Sequence, residues 1–224
     1  MNKIYLIGDS TCQNNTRKTY PQHGWGQVFY AFISKDYQII NLAKNGRSSK
    51  SFLEEGLFKK CEENITSGDL LFIQFGHNDE KEDEQRHTDP FTSYQQYLLY
   101  YINVARKHNA TPILLSSIYR RHFDENGKIK DNCHLNYPKA MEQLAKKENV
   151  IYIDMCELTK TLLSDLGDEK SKELFMNFKA NIYKNYPEGK IDNTHLRLKG
   201  AKEICKILVN KIKSIDKINV ILKK

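Results

Sequence analysis

Five short apolar runs, with longer helical patterns between and after them, constrain the fold of this chain more than any other feature of its sequence. Near-continuous apolar character is typical of strands buried on both faces, and its alternation with helices predicts a parallel sheet covered on both sides. Right-handed crossovers then give a doubly wound, three-layer α/β/α sandwich. The apolar runs are 3–8, 37–42, 69–75, 111–117 and 149–153, and the helical patterns lie near 25–34, 54–64, 91–108, 137–148, 155–166, 168–178 and 198–213. With no repeat or Pro/Gly-rich linker, we expect one domain over residues 1–224.

Polar residues and glycines follow the carboxyl ends of the first four apolar runs. The segments are GDST, NLAKNGRSS, QFGHND and SSIYRRHF, in chain order. Ligands of open α/β sheets bind outside the carboxyl ends of the strands, so these segments are expected to share one functional edge. A further segment, IDNTHLRLKG, precedes the last helical pattern and is expected to be a loop that returns to that edge.

Ser10, in GDST, is the candidate nucleophile, and it needs a general base that is itself oriented by an acceptor. Asp192 and His195 are three residues apart, and a helical or tight-turn spacing lets the carboxylate accept from Nδ1 and leaves Nε2 free for Ser10. The developing oxyanion needs donors, for which we predict the backbone N–H of Ser10, the Gly46 loop and the Asn78 side-chain amide. Each residue alone has an ordinary explanation as a turn or cap, but together on one sheet edge they predict an active site.

The blocks GDS, NGRSS, GHND and DNTH resemble those of the SGNH, or GDSL-like, esterases. This resemblance implies a flavodoxin-like sheet in the order 2-1-3-4-5, with Ser10 as nucleophile, His195 as base and Asp192 as its orienting acid. It also implies an oxyanion hole made by Ser10, Gly46 and Asn78. The stretches PQHGWGQVF, NLAKNGRSSKSF, QFGHNDEK and RRHFDENGKI are similar to the rhamnogalacturonan acetylesterase branch of that family.

That branch implies a serine carboxylesterase that removes O-acetyl groups from a carbohydrate, here pectin-derived oligosaccharides, through an acetyl-enzyme. No cofactor or metal is expected. Three alternatives stay open: a lysophospholipase or thioesterase with an apolar trough for a long acyl chain, an acetylxylan-type deacetylase, and a carbohydrate-binding relative without turnover. The last is disfavoured because every catalytic position holds a competent residue type.

Four further residues are candidates for contacts with the substrate. Arg120 and Arg121 follow the fourth apolar run, and a guanidinium matches a carboxylate such as that of galacturonate. The equally weighted alternative is that they pair with Asp124, Glu125 or another surface acid. Trp25 offers a stacking face for a sugar, although a core position is favoured. His77 precedes Asn78 and is a candidate contact to the acyl group, with a structural hydrogen bond as the favoured alternative.

Charge and cysteine content exclude several other classes of protein. The formal net charge is +7, but the lysines are scattered and no nucleic-acid motif is present, so we expect a solvated surface that at most attracts an anionic substrate. The five cysteines are odd in number and contain no CxxC pair, which indicates neither a zinc site nor a disulfide framework. MNKIYLIGDS is typical of a strand, and no apolar run approaches the roughly 20 residues of a membrane span. A cytoplasmic protein is therefore the expectation, with no membrane partner and an undetermined oligomeric state.

Overall fold

A five-stranded parallel sheet forms the centre of the computed structural model, which describes residues 1–223. Its strand order is β2-β1-β3-β4-β5, which confirms the expected topology. Every strand lies within two residues of its apolar run. The strands are β1 (Asn2–Gly8), β2 (Tyr37–Asn41), β3 (Leu70–Gln74), β4 (Thr111–Leu115) and β5 (Ile151–Ile153).

The sheet separates two hydrophobic cores, which is why its central strands are apolar at almost every position. In β1, Ile4 and Leu6 point into one core, whereas Tyr5 and Ile7 point into the other. This alternation follows from the two-residue period of a strand. A strand covered on one face only would have kept polar residues at every second position.

Helices cover both faces of the sheet. One layer holds α1 (Trp25–Val28), α6 (Met155–Ser171) and α7 (Leu198–Lys213), and the other holds α2 (Ser49–Glu54), α3 (Lys59–Glu62), α4 (Gln95–Lys107) and α5 (Tyr137–Glu148). Two predicted helices are shorter than their patterns. The pattern near 25–34 is α1 followed by a 3₁₀ turn, Phe29–Phe32, and the pattern near 54–64 divides into α2 and α3 around Gly56, whose φ is +72°.

The prediction of a helix near 168–178 is wrong for the second half of that range. Helix α6 ends at Ser171, and after one 3₁₀ turn the chain forms β6 (Phe175–Phe178), which pairs antiparallel with β7 (Lys190–Leu196). The segment expected to be a loop before the last helix is thus largely a strand. Local periodicity misses this hairpin because each strand obtains its backbone hydrogen bonds from a partner more than ten residues away.

None of the helices within residues 1–223 has the length and apolar composition that crossing a bilayer requires. The five cysteines are free, and four of them, Cys12, Cys61, Cys133 and Cys205, are buried.

Candidate active site

A chain of hydrogen bonds joins the three residues predicted as a catalytic triad. The Nε2 of His195 lies 2.9 Å from the Oγ of Ser10, and its Nδ1 lies 2.7 Å from Oδ2 of Asp192. Ser10 is the second residue after β1, in a turn closed by backbone hydrogen bonds from Cys12 and Gln13 to the Asp9 carbonyl. The arrangement has the connectivity that a serine nucleophile, a histidine base and an orienting acid require.

An irregularity in β7 brings Asp192 and His195 to the same side of the chain. Residues three apart in a regular strand point to opposite faces of the sheet. Here Met176 pairs with Asp192 and the preceding residue, Phe175, pairs with Leu196, so residues 193–195 bulge out of the ladder. The structure thus brings the Asp192 carboxylate to Nδ1 of His195, and a bulge in β7, not a helical turn, sets this contact.

The Asp192 carboxylate is held by its own neighbours in the bulge. Its Oδ1 accepts hydrogen bonds from the backbone N–H groups of Thr194, at 2.9 Å, and His195, at 3.0 Å. Burial by itself raises the pKa of Asp192, but the hydrogen bonds and charge of His195 outweigh burial and hold that pKa well below its usual range. Asp192 therefore stays ionised and keeps the imidazole Nδ1–H directed toward itself.

The Asn78 amide lies against the loop that carries Gly46. Its Nδ2 donates to the backbone carbonyl of Arg47, at 3.1 Å, which leaves a second N–H of the same amide free. Gly46 has a φ of +75°, in the left-handed region that favours glycine. The two residues expected to share an oxyanion hole with Ser10 are thus connected through the residue next to Gly46.

A buried hydrogen bond links the nucleophile turn to the segment that carries Asn78. Asp9 is completely buried, and its carboxylate accepts from the backbone and hydroxyl of Thr11, both at 2.8 Å, and from Nδ1 of His77, at 3.0 Å. Burial lowers the pKa of His77, which donates its Nδ1–H as a neutral ring. Asp9 and His77 immediately precede Ser10 and Asn78, so one contact fixes two site residues relative to each other.

A second buried acid, Asp79, anchors the loop on the other side. It accepts from the backbone N–H of Ser49, at 3.0 Å, and from the hydroxyl of Thr88, at 3.1 Å. Burial raises the pKa of Asp79 to about 7, although these hydrogen bonds oppose the shift. Sequence reasoning missed Asp9 and Asp79, and the available signal was an acid directly beside each predicted site residue at the end of a buried strand.

The two arginines predicted to bind a carboxylate are engaged within the protein. Arg120 forms an ion pair with Glu80 and also donates to the His77 carbonyl, at 3.2 Å. Arg121 forms an ion pair with Asp168, and its side chain is only 7% exposed. Both arginines therefore pair with acids of the chain other than Asp124 and Glu125, and the partner of Arg120, Glu80, is largely buried and not a surface acid as expected.

Trp25 and His77 lie in the interior and not on a substrate-accessible surface. Trp25 is 1% exposed and donates its indole N–H to Oε1 of Gln74, at 2.7 Å, and its ring packs edge-on against Phe29. His77 is 3% exposed and faces Asp9. These positions argue against a substrate contact by either side chain and favour the structural roles. Within residues 1–223 no cluster of three or more His, Cys, Asp or Glu side chains is arranged to hold a metal ion.

Comparisons with known proteins agree with this fold. The model of the GDSL-like lipase/acylhydrolase family matches residues 4–208. The rhamnogalacturonan acetylesterase RhgT of Bacillus subtilis is 43% identical over 213 residues, which cover 95% of this chain and 90% of RhgT. The probable rhamnogalacturonan acetylesterase YesY of the same organism is 40% identical over 215 residues, which cover 96% of this chain and 94% of YesY.

Two solved structures share the architecture at lower identity. The crystal structure of the Bacillus subtilis protein YxiM superposes with a TM-score of 0.80 at 23% identity, over 95% of this chain and 56% of that chain. The acetylxylan esterase Axe2 of Geobacillus stearothermophilus gives a TM-score of 0.65 at 13% identity, over 94% of this chain and 93% of that chain. At these identities the likeness concerns the fold alone.

Proposed function

This chain belongs to the GDSL-like lipase/acylhydrolase family, and we propose that it is an esterase that removes O-acetyl groups from a carbohydrate by way of an acetyl-enzyme on Ser10. The single observation that carries this mechanism is the hydrogen-bond chain from Ser10 through His195 to Asp192. It supplies a nucleophile, a base and an orienting acid in contact with one another.

The first half-reaction acylates the serine. Ser10 Oγ attacks the carbonyl carbon of the acetyl ester while His195 Nε2 takes the hydroxyl proton. The carbonyl oxygen of the acetyl group becomes an oxyanion, for which the N–H groups of Ser10 and Gly46 and the free N–H of the Asn78 amide are the donors. Collapse of this intermediate breaks the bond to the sugar oxygen, which leaves with the proton from His195.

The second half-reaction releases acetate. Water attacks the acetyl carbon and gives a proton to His195 Nε2, and the same three donors hold the oxyanion. Collapse expels Ser10 Oγ, which recovers that proton, and the serine is ready for another cycle. Asp192 acts in both halves by stabilising the imidazolium and keeping its Nδ1–H in place.

The proposed substrates are acetylated oligosaccharides derived from pectin. The support is that two relatives at least 40% identical over nearly the whole chain are a rhamnogalacturonan acetylesterase and a probable one. An acetylated xylan fragment is the competing carbohydrate, and a long-chain acyl ester is the competing acyl group. The compartment, expected to be the cytoplasm, stays a prediction, as do the absence of a nucleic-acid or membrane partner and the single domain.

The test is acetate release from acetylated rhamnogalacturonan oligosaccharides, with acetylated xylan fragments and p-nitrophenyl esters of two to eight carbons in parallel. We expect release from the pectin fragments and fastest turnover of the two-carbon p-nitrophenyl ester. Ser10→Ala is the control, and its kcat is expected to fall by several orders of magnitude.

The outcomes separate the alternatives. Release from p-nitrophenyl acetate alone would retain the triad and remove the sugar substrate from the proposal. Fastest turnover of the eight-carbon ester would favour a lipase-like enzyme. Binding of the oligosaccharides without hydrolysis of any ester would overturn the proposal in favour of a binding protein, and wild-type rates in Ser10→Ala would exclude Ser10 as nucleophile.

A further inference from the structure

A small pocket lies between the nucleophile turn and the loop that carries Gly46. Its volume is about 280 Å³, and its walls come from residues 13–19 and 44–47. One wall therefore begins three residues after Ser10, and the other includes both neighbours of Gly46. The two walls are joined where Oε1 of Gln13 accepts the backbone N–H of Asn45, at 2.6 Å. The pocket is thus built from the same two segments that carry the nucleophile and a predicted oxyanion donor.

The lining of this pocket suits a sugar that bears a negative charge. It contains the side-chain amides of Gln13, Asn14, Asn15 and Asn45, the hydroxyls of Thr16 and Thr19, and the cations of Lys44 and Arg47. Amides and hydroxyls both donate and accept hydrogen bonds, as sugar hydroxyls do. No carboxylate lines the pocket, so an anion inside it meets only neutral dipoles and positive charge.

Of the two cations, Lys44 is the one available to a ligand. The guanidinium of Arg47 is occupied, because Nε and Nη2 donate to Glu55 at 2.9 and 2.8 Å and Nη1 donates to the Asn45 carbonyl at 2.8 Å. In the part of the chain that the structure describes, the Lys44 ammonium has no ion-pair or hydrogen-bond partner, and the residue is exposed. A mobile ammonium at the pocket wall is suited to pair with a carboxylate.

The larger groove beside β7 does not offer the same chemistry. It has a volume of about 1020 Å³, and, as in the small pocket, the predicted triad and oxyanion residues do not themselves line it. Its cations face four acids, Asp124, Asp168, Glu169 and Glu188, and Arg121 and Lys172 already pair with two of them. An entering anion would therefore meet balanced charge.

We propose that the pocket between the nucleophile turn and the Gly46 loop binds a sugar residue of the acetylated oligosaccharide, and that Lys44 pairs there with a uronate carboxylate. This inference rests on the proposed function and specifies its substrate class, an acidic acetylated oligosaccharide. It also assigns the carboxylate to Lys44 in place of Arg120 and Arg121, which are held by internal acids.

The test compares an acetylated oligosaccharide that contains galacturonate with the same oligosaccharide after reduction of its carboxylates to alcohols. The readout is the ratio of kcat/KM for the acidic substrate to kcat/KM for the neutral one. In Lys44→Met this ratio is expected to fall about fivefold, mainly through KM, which is the size expected for an exposed ion pair. Lys44→Arg keeps the charge and is expected to retain most of the ratio.

Lys35→Met is the matched control, since Lys35 precedes β2 at the opposite end of the strand and carries the same charge. The ratio in Lys35→Met is expected to equal that of the wild type. Added salt is expected to weaken the preference for the acidic substrate more in the wild type and in Lys35→Met than in Lys44→Met. An unchanged ratio in Lys44→Met, or an equal fall in Lys35→Met, would overturn the assignment. If the wild type released no acetate from either oligosaccharide, the proposed function itself would fail.

Discussion

Replacing His77 with leucine tests whether this residue supports the site from within or touches the substrate. The substitution removes the Nδ1–H that donates to the buried Asp9 and leaves that carboxylate with the two hydrogen bonds from Thr11. The ring's Nε2 has no partner among residues 1–223, so the variant loses no second hydrogen bond. Losing one hydrogen bond to a charged group costs about 1.5–3 kcal/mol, and the complete burial of Asp9 favours the upper value.

A loss of about 3 kcal/mol is large against a typical total stability of roughly 5–15 kcal/mol, so it is measurable by urea unfolding at pH 7. The difference in the free energy of unfolding between the wild type and His77→Leu is expected to become smaller as the pH falls from 7 to 4. In the wild type the pKa of Asp9 is lowered and the pKa of His77 is lowered, so acid destabilises the folded state through both groups. In the variant Asp9 can take up a proton and relieve its unpaired charge.

The activity of His77→Leu distinguishes the two interpretations of this residue. Because His77 precedes Asn78 and Asp9 precedes Ser10, a loosened contact is expected to lower kcat about tenfold and to change KM little. His77→Asn keeps a donor near the position of Nδ1 and is expected to restore part of both stability and kcat. A raised KM at unchanged unfolding free energy would refute the reasoning, because that is the result of a lost substrate contact.

Four further substitutions test the predicted roles of other side chains. Asn78→Ala is expected to lower kcat about 10²–10³-fold in acetate-release kinetics, and a change confined to KM would contradict an oxyanion role. Asp192→Asn is expected to lower kcat on p-nitrophenyl acetate, but by less than His195→Ala, and wild-type rates in both variants would exclude the triad. Arg121→Met leaves Asp168 without its partner and is expected to lower the free energy of unfolding by about 1–3 kcal/mol in urea. A raised KM for acidic oligosaccharides at unchanged stability would restore Arg121 as a substrate ligand.

The main sheet was predictable because burial on both faces requires apolar residues at consecutive positions of each strand. All five residues of β3 are buried, and its apolar run could hardly be interpreted in another way. The β6–β7 hairpin lacks such an apolar run, because β7 is mostly half-buried and contains the polar stretch around Asp192. Its strand character depends on pairing with residues 175–178, and such non-local pairing does not appear in the periodicity of either segment.

The residue types of the site were predictable because the chemistry restricts them. The internal partners of the residues around the site were not predictable. A serine after the first strand, and an acid and a histidine three residues apart near the last helix, could be assigned roles from general requirements of acyl transfer. The partners of the two arginines could not be predicted from the sequence. Glu80 lies 40 residues from Arg120, and Asp168 lies 47 residues from Arg121. Which acid meets which arginine depends on how the loops after β3 and β4 and the end of α6 meet in space.

The tripeptide that follows Gly76 explains why the site residues come from neighbouring loops and yet hold a fixed geometry. His77 binds Asp9 in the nucleophile turn, while Asn78 and Asp79 bind the loop and helix start that follow β2, at Arg47 and Ser49. Three consecutive side chains at the end of a central strand thus contact the loops of both strands on one side of it. Since β1, β2 and β3 are adjacent in the sheet, these short contacts transmit its rigidity to the nucleophile and to the predicted oxyanion donors. The geometry proposed for acyl transfer therefore depends on Asp9, His77 and Asp79, three buried groups that lie behind the predicted nucleophile and oxyanion donors.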